Sequence, residues 1–147
     1  MMKKIIVYTD GGSRGNPGPS ALGAVLKDEK EKTLKKYSQF IGQATNNQAE
    51  YRAMIFALKK IKALLGKKTV ENLEVEIRSD SELLISQLQG KYKILDKNIQ
   101  DLFIKIWNLK IDYKNVGFVL IPREENQEAD KLANEALDQQ GREQKLL

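Results

Sequence analysis

With 147 residues, 41% of them hydrophobic, and a net charge of +5, the chain is long enough for one domain with a substantial core and too short for two comfortable ones. It contains no cysteine and no histidine, which excludes a disulfide scaffold, a thiolate metal site and the commonest zinc ligand and general base. Any metal must therefore be held by oxygen, which favours Mg²⁺ or Mn²⁺, and the mild basicity suits a polyanionic partner without requiring one.

In chain order, the apolar run that follows Lys3 and Lys4 is too short for a signal peptide, and no later stretch approaches a membrane span. The chain reads as a soluble, cytoplasmic protein with no membrane partner. Ile5-Ile6-Val7-Tyr8, closed by Asp10-Gly11-Gly12, predicts a strand buried on both faces. Ala21–Leu26 and Thr33–Ile41 predict two more, joined by the charged turn Lys27–Lys32. Thr45-Asn46-Asn47 supplies caps for a long helix, with Ala53, Ala57, Ile61 and Leu64 at helical spacing up to Gly66. Leu73, Val75 and Ile77 alternate with Glu74, Glu76 and Arg78, the pattern of a half-buried strand.

Asp80-Ser81 opens a helix that Gly90 ends, and a further amphipathic helix covers Asn98–Trp107. Val116–Ile121 predicts a last strand before Pro122, and Asn126–Asp138 a final helix. Three strands in succession predict an antiparallel meander, and the strand–helix–strand passages that follow require parallel crossovers. The expected fold class is α/β: a mixed five-stranded sheet, three strands antiparallel and then two parallel, with helices on both faces. Residues 1–140 form one domain in this reading, and 141–147 a frayed tail.

Among the acids, the informative ones are those placed where solvation is poor, and four are candidates. Asp10 ends the most apolar strand, although an aspartate before two glycines is also a turn former. Glu50 lies along the stripe of Ala53, Met54, Ala57 and Leu58, although the helix dipole also favours a glutamate there. Asp80 has the parity of the polar face of its strand, and its ordinary role is to cap the next helix. Asp130 shares a helix edge with Ala133 and Leu137, and alone reads as a surface acid. Taken together, one acid follows each of two strands and one stands early in each of two helices. If the strands are parallel neighbours, all four can converge, and they stay ionised together only with cations between them. Two divalent ions about 4 Å apart would clamp the attacking and leaving oxygens of a phosphodiester.

The motifs resemble type 1 ribonuclease H. Thr9-Asp10-Gly11-Gly12-Ser13 with Gly15-Asn16-Pro17-Gly18-Pro19, then Thr45-Asn46-Asn47-Gln48-Ala49-Glu50, Ser79-Asp80-Ser81 and Asn126-Gln127-Glu128-Ala129-Asp130-Lys131-Leu132-Ala133 occur in that family's order across nearly the whole chain. Each motif is weak alone, and the ordered set is specific. The resemblance implies a ribonuclease H-like fold, Asp10, Glu50, Asp80 and Asp130 as the catalytic and metal-binding set, and two Mg²⁺ or Mn²⁺ ions. Asp10 would be shared between the ions, Glu50 and Asp80 would lie on one, and Asp130 on the other. The implied reaction is hydrolysis of the RNA strand of an RNA·DNA hybrid to 5′-phosphate and 3′-hydroxyl ends, performed by a monomer.

The resemblance also implies that Asn16, Asn46 and Asn47 reach the minor groove, where 2′-hydroxyls mark RNA, and that Thr45 and Asn98 grip a DNA-strand phosphate. Capping and turn formation are the ordinary roles of these residues. Two departures stand out. Many relatives carry a loop histidine shortly before the last aspartate. This chain has Arg123, Glu124 and Glu125 there, candidates to substitute for it, as in a histidine-lacking branch among archaeal and some bacterial relatives. Where some members insert a basic protrusion, only Gly90–Lys97 is present, with Lys91, Lys93 and Lys97 as a cationic remnant. Weaker hybrid affinity and pronounced salt sensitivity are therefore expected. Three alternatives stay open on the sequence: a nucleic-acid-binding module that has lost catalysis, a related phosphoryl-transfer enzyme on the same fold, such as an integrase or transposase core or a nuclease that also attacks double-stranded RNA, and a structural protein, which would leave the ordered motifs unexplained.

Overall fold

A computed structural model describes residues 2–146. Strands β1 (Lys4–Ser13), β2 (Gly18–Lys27) and β3 (Thr33–Ala44) form the meander. Helix α1 (Asn46–Leu65), a short α2 (Lys67–Val70), β4 (Glu74–Ser79), α3 (Glu82–Leu88), α4 (Lys97–Ile111), β5 (Asn115–Leu120), a 3₁₀ turn over Arg123–Glu125 and α5 (Gln127–Leu146) follow. The sheet order is β3-β2-β1-β4-β5, with β1 antiparallel to β2 and parallel to β4, and β4 parallel to β5. The expected fold class is thus the observed one.

The β2–β3 hairpin closes on Asp28, whose Oδ1 accepts hydrogen bonds from the backbone of Lys30 and Lys32. Helix α1 starts with a capping box: the Thr45 hydroxyl accepts from Gln48 N, and the Gln48 side chain accepts from Thr45 N. Such a cap contributes about 1 kcal/mol. The main core forms where α1 and α4 cover the sheet, with Ile5, Val7, Ala24, Leu26, Val75 and Ile77 packed against Tyr51, Met54, Leu58, Ile61 and Ile106. Helix α5 covers β2 and β3, where Ala136 and Leu137 meet Ala21 and Phe40.

Three expectations change. β1 runs on to Ser13, because past Tyr8 it keeps β2 as a partner through Ser13↔Ser20. Asp10 therefore lies inside a strand and not in a turn after one. Leu64 is 53% exposed, because the core-facing stripe of α1 runs through Leu58, Ile61 and Leu65 and leaves Leu64 beside it. Helix α5 continues through Gly141 to Leu146, where a frayed tail was expected, while Leu147 lies outside the described residues. A single glycine costs only about 1 kcal/mol in a helix, and the turn before it is anchored by the buried Ala136 and Leu137.

Candidate active site

β1 and β4 pair only as far as Tyr8↔Arg78. Beyond that rung β1 continues beside β2, while β4 ends at Ser79 and the chain turns into α3. The two strands part at their C-terminal ends, the place in an open α/β sheet where ligands bind, and Asp10 and Asp80 stand on either side of the split. Ser81, and not Asp80, caps α3: its hydroxyl accepts from Leu84 N. The Asp80 carboxylate is thereby released from the ordinary capping role.

Two glycines bring the helices to this point. A Cβ at Gly11 would lie 2.3 Å from the Ala49 carbonyl carbon and 2.5 Å from Glu50 N, so β1 touches the backbone of α1 at Glu50 itself. A Cβ at Gly23, paired with Asp10 across β1 and β2, would lie 2.1 Å from the Ala129 carbonyl oxygen, so α5 rests on the sheet one residue before Asp130.

The result is a cavity of about 510 Å³ lined by Asp10, Gly11, Gly12, Asn46, Glu50, Asp80, Ser81, Arg123 and Asp130. Carboxylate oxygens of Asp10, Glu50 and Asp80 lie within 4.8 Å of one another, and that set can hold a metal ion. Asp130 lies outside that group of three, exposed at the rim of the same cavity, where its charge still bears on Asp10. Burial, then the charges of Glu50, Asp80 and Asp130, push the Asp10 carboxyl up to about 8. Burial and Asp80 push Glu50 up to about 7, with a hydrogen bond from Ser81 opposing. A carboxylate pair disfavoured as anions by burial and by like charge fits a cation: divalent charge between them restores the ionised form.

The remaining candidates divide. Asn46, the first residue of α1, lines the cavity, its Oδ1 accepting from Ser13 N at 2.9 Å; Asn16 does not line it, but its Oδ1 accepts from Asn46 N at 3.1 Å. Asn47 is exposed beside them. Thr45 spends its hydroxyl on the α1 cap. Asn98 lines a second cavity of about 450 Å³ with Gln43, Ala44, Gln48, Arg52, Leu102 and Lys105. Of the three candidates for the missing histidine, Arg123 reaches the acid cavity, with Nε 3.7 Å from Asp80 Oδ2 and its side chain 92% exposed. Glu124 and Glu125 sit on the exposed 3₁₀ turn and do not line it.

Sequence reasoning passed over Ser81, Asn126, Gly11 and Gly23 as site residues. Asn126 is 2% exposed, and its Nδ2 donates to the Thr9 carbonyl at 2.8 Å and to Asp80 Oδ1 at 3.3 Å. A buried asparagine heading the motif that carries Asp130 was the available signal.

A family model described as reverse transcriptase-like matches residues 8–136. A bifunctional protein of Mycobacterium tuberculosis is 36% identical over 136 residues, covering 92% of this chain and 36% of that protein. Ribonuclease HI of Halobacterium salinarum is 38% identical over 135 residues, covering 92% of this chain and 65% of its own. This chain thus spans about a third of the first relative's length and just under two thirds of the second's. Among solved structures, LC11-RNase H1 in complex with RNA/DNA hybrid superposes with a TM-score of 0.87 at 49% identity, covering 92% of this chain and 97% of that one. Four ordered acid motifs, the β3-β2-β1-β4-β5 sheet that gathers them, and similarity over nine-tenths of the chain lead to one assignment: the chain belongs to the type 1 ribonuclease H family.

Proposed function

We propose that the chain is an endoribonuclease that hydrolyses the RNA strand of RNA·DNA hybrids at Asp10, Glu50, Asp80 and Asp130, with two divalent cations, Mg²⁺ or Mn²⁺. The observation that carries this is the convergence of three carboxylates within 4.8 Å, with a fourth beside Asp10. The grouping supports Glu50 and Asp80 as ligands of one ion, Asp130 of the other, and Asp10 as ligand of both. Bound there, the cations supply Lewis acidity to the attacking water and to the leaving oxygen. The chain's own part is to give up the protons of Asp10 and Glu50 on binding, and to present a preorganised anionic cradle that costs no rearrangement during the reaction.

In this reading Asn16, Asn46 and Asn47 read the minor groove. Asn98 holds a DNA-strand phosphate, with Arg52 and Lys105 supplying the positive charge of its cavity, and Thr45 fixes the backbone between the two cavities. Arg123, charged and exposed at the rim, accompanies the phosphate through the product stage without acting as a proton carrier. All four acids come from one chain, which supports a monomer as the working unit, and the substrate class supports a cytoplasmic setting. No helix among the described residues is long and apolar enough to cross a membrane.

Labelled hybrid, RNA duplex, DNA duplex and single-stranded RNA, each with Mg²⁺ and with Mn²⁺, test the proposal. Hybrid should be cut fastest, leaving 5′-phosphate ends, and the rate should fall steeply with salt because phosphate contacts release counterions. Binding of hybrid without cleavage in either ion would leave a binding module in place of an enzyme. Faster attack on RNA duplex would make hybrid a secondary substrate.

The catalytic unit is proposed as residues 1–140. Beyond Ala136 and Leu137, α5 buries nothing further among its described side chains. Deleting residues 141–147 should leave hybrid cleavage within about twofold and lower the melting temperature by no more than roughly 2–4 °C, the effect of about 1 kcal/mol. A larger loss would mean that the last turns are part of the domain.

A further inference from the structure

Asn126 does more than its place in the last motif requires. Pairing of β1 with β4 stops at Tyr8 and Arg78, and the Thr9 carbonyl, one residue past that rung, accepts a hydrogen bond from Asn126 Nδ2. The same nitrogen reaches Asp80 Oδ1, and the Asn126 carbonyl accepts from Asp130 N at 3.1 Å. One buried residue therefore ties the backbone beside Asp10, the side chain of Asp80 and the first turn of the helix bearing Asp130. Its Oδ1 has no hydrogen-bond partner among the described residues, so the side chain is oriented by what its nitrogen donates to and not by capping α5. The backbone on either side of Asp80 is held separately: Ser81 N donates to Ser79 Oγ, and Ile121 N to the Ser79 carbonyl. That leaves the Asp80 carboxylate itself to be oriented, and Asn126 is the buried group that touches it.

We propose that Asn126 is a positioning residue of the cation site: by bridging Thr9 and Asp80 it sets the spacing across the β1–β4 split and holds Asp80 turned toward Asp10 and Glu50. Residues that orient a metal ligand through a hydrogen bond typically change metal affinity 10- to 100-fold when removed. The proposal rests on the reading of the acids as a cation site, and its test separates the two.

The full-length chain would be titrated calorimetrically with MnCl₂ alone, well below each variant's melting temperature, as wild type, Asn126→Ala, Asn126→Ser, Asp80→Asn, Asp80→Asn with Asn126→Ala, and Asp10→Asn. Asn126 does not itself cap α5; the serine variant adds a hydroxyl that can accept from the first turn of that helix, which favours a folded protein if the alanine variant unfolds. Asn126→Ala and Asn126→Ser should each weaken Mn²⁺ binding about 10-fold or more. They should also lower kcat on hybrid while leaving KM within about twofold. In the Asp80→Asn background, Asn126→Ala should weaken Mn²⁺ binding clearly less than in wild type, since only the spacing held through Thr9 is then lost. Mn²⁺ affinity within twofold of wild type beside a lowered melting temperature would reduce Asn126 to a buried structural link and overturn the proposal. So would an equal loss of affinity with and without the Asp80 carboxylate. Mn²⁺ binding that survives Asp10→Asn would instead remove the cation site itself.

Discussion

Replacing Asp10 by asparagine should lower hybrid cleavage by about 10³-fold or more while making the metal-free protein more stable. The loss follows from removing the one carboxylate close to all three others, and with it the charge that places both cations; a deficit of that size is about 4 kcal/mol of transition-state stabilisation. The gain follows from the same closeness. In the absence of metal, burial and three neighbouring acids push Asp10 up to about 8, and Glu50 rises to about 7. Both folded-state values lie above those of the unfolded chain, so between about pH 4 and pH 8 the folded state binds more protons than the unfolded one. Stability in EDTA must then fall as pH rises through that window and level off above it.

Asparagine keeps the shape and drops the charge. At pH 8 it should add on the order of 2 to 3 kcal/mol, since each pKa unit corresponds to about 1.36 kcal/mol and the open cavity lets solvent screen part of the repulsion. That is roughly 5–10 °C in melting temperature for a chain of this size. Mg²⁺ should reverse the pH trend for wild type, raising its melting temperature most at pH 8–9, where binding displaces the fewest protons. Melting curves at pH 5, 7 and 9, with EDTA and with Mg²⁺, check all of this. A wild-type protein whose stability in EDTA rises from pH 5 to pH 8 would contradict the clustering of the acids.

Gly11→Ala and Gly23→Ala should each destabilise the fold by about 3 kcal/mol or more and cut activity at least about 10-fold. The atoms that an added Cβ would meet belong to backbone, the Ala49–Glu50 peptide in one case and the Ala129 carbonyl in the other, at 2.1–2.5 Å. Backbone cannot rotate away as a side chain can, so α1 or α5 must lift from the sheet, at the upper end of the usual cost of overpacking. Because those contacts lie at Glu50 and one residue before Asp130, the lift moves a carboxylate away from Asp10. Gly117→Ala is the control: nothing lies within 4 Å of its added carbon, and a strand position gains from losing glycine's freedom. Denaturant unfolding of the three variants beside wild type decides the matter. Equal midpoints for all three would mean that the close approach of helices to strands is not what holds the acids together.

Much of this molecule is legible without coordinates, for identifiable reasons. The alternation of Leu73, Val75 and Ile77 with charged residues marks β4 because a strand turns successive side chains to opposite faces, and Thr45-Asn46-Asn47 marks the start of α1 because unpaired N–H groups there need acceptors. These signals are local, and the ordered motifs around Asp10, Glu50, Asp80 and Asp130 sit on them, so the family and four candidate residues follow from the chain alone. Where local signals compete, the sequence misleads. Asp10 before two glycines reads as the end of a strand, although β2 keeps β1 extended to Ser13. Asp80 reads as a helix cap, although Ser81 takes that role and frees the carboxylate. What only the tertiary structure decides is distance: Gly11 and Gly23 are ordinary glycines until α1 and α5 are laid against them, and Asn126 is one more polar residue until Thr9 and Asp80, more than forty positions away, come within its reach. Hydrophobic patterning determines which face each element buries. The approach of one backbone to another, a property of pairs of elements and not of either alone, determines whether four acids meet.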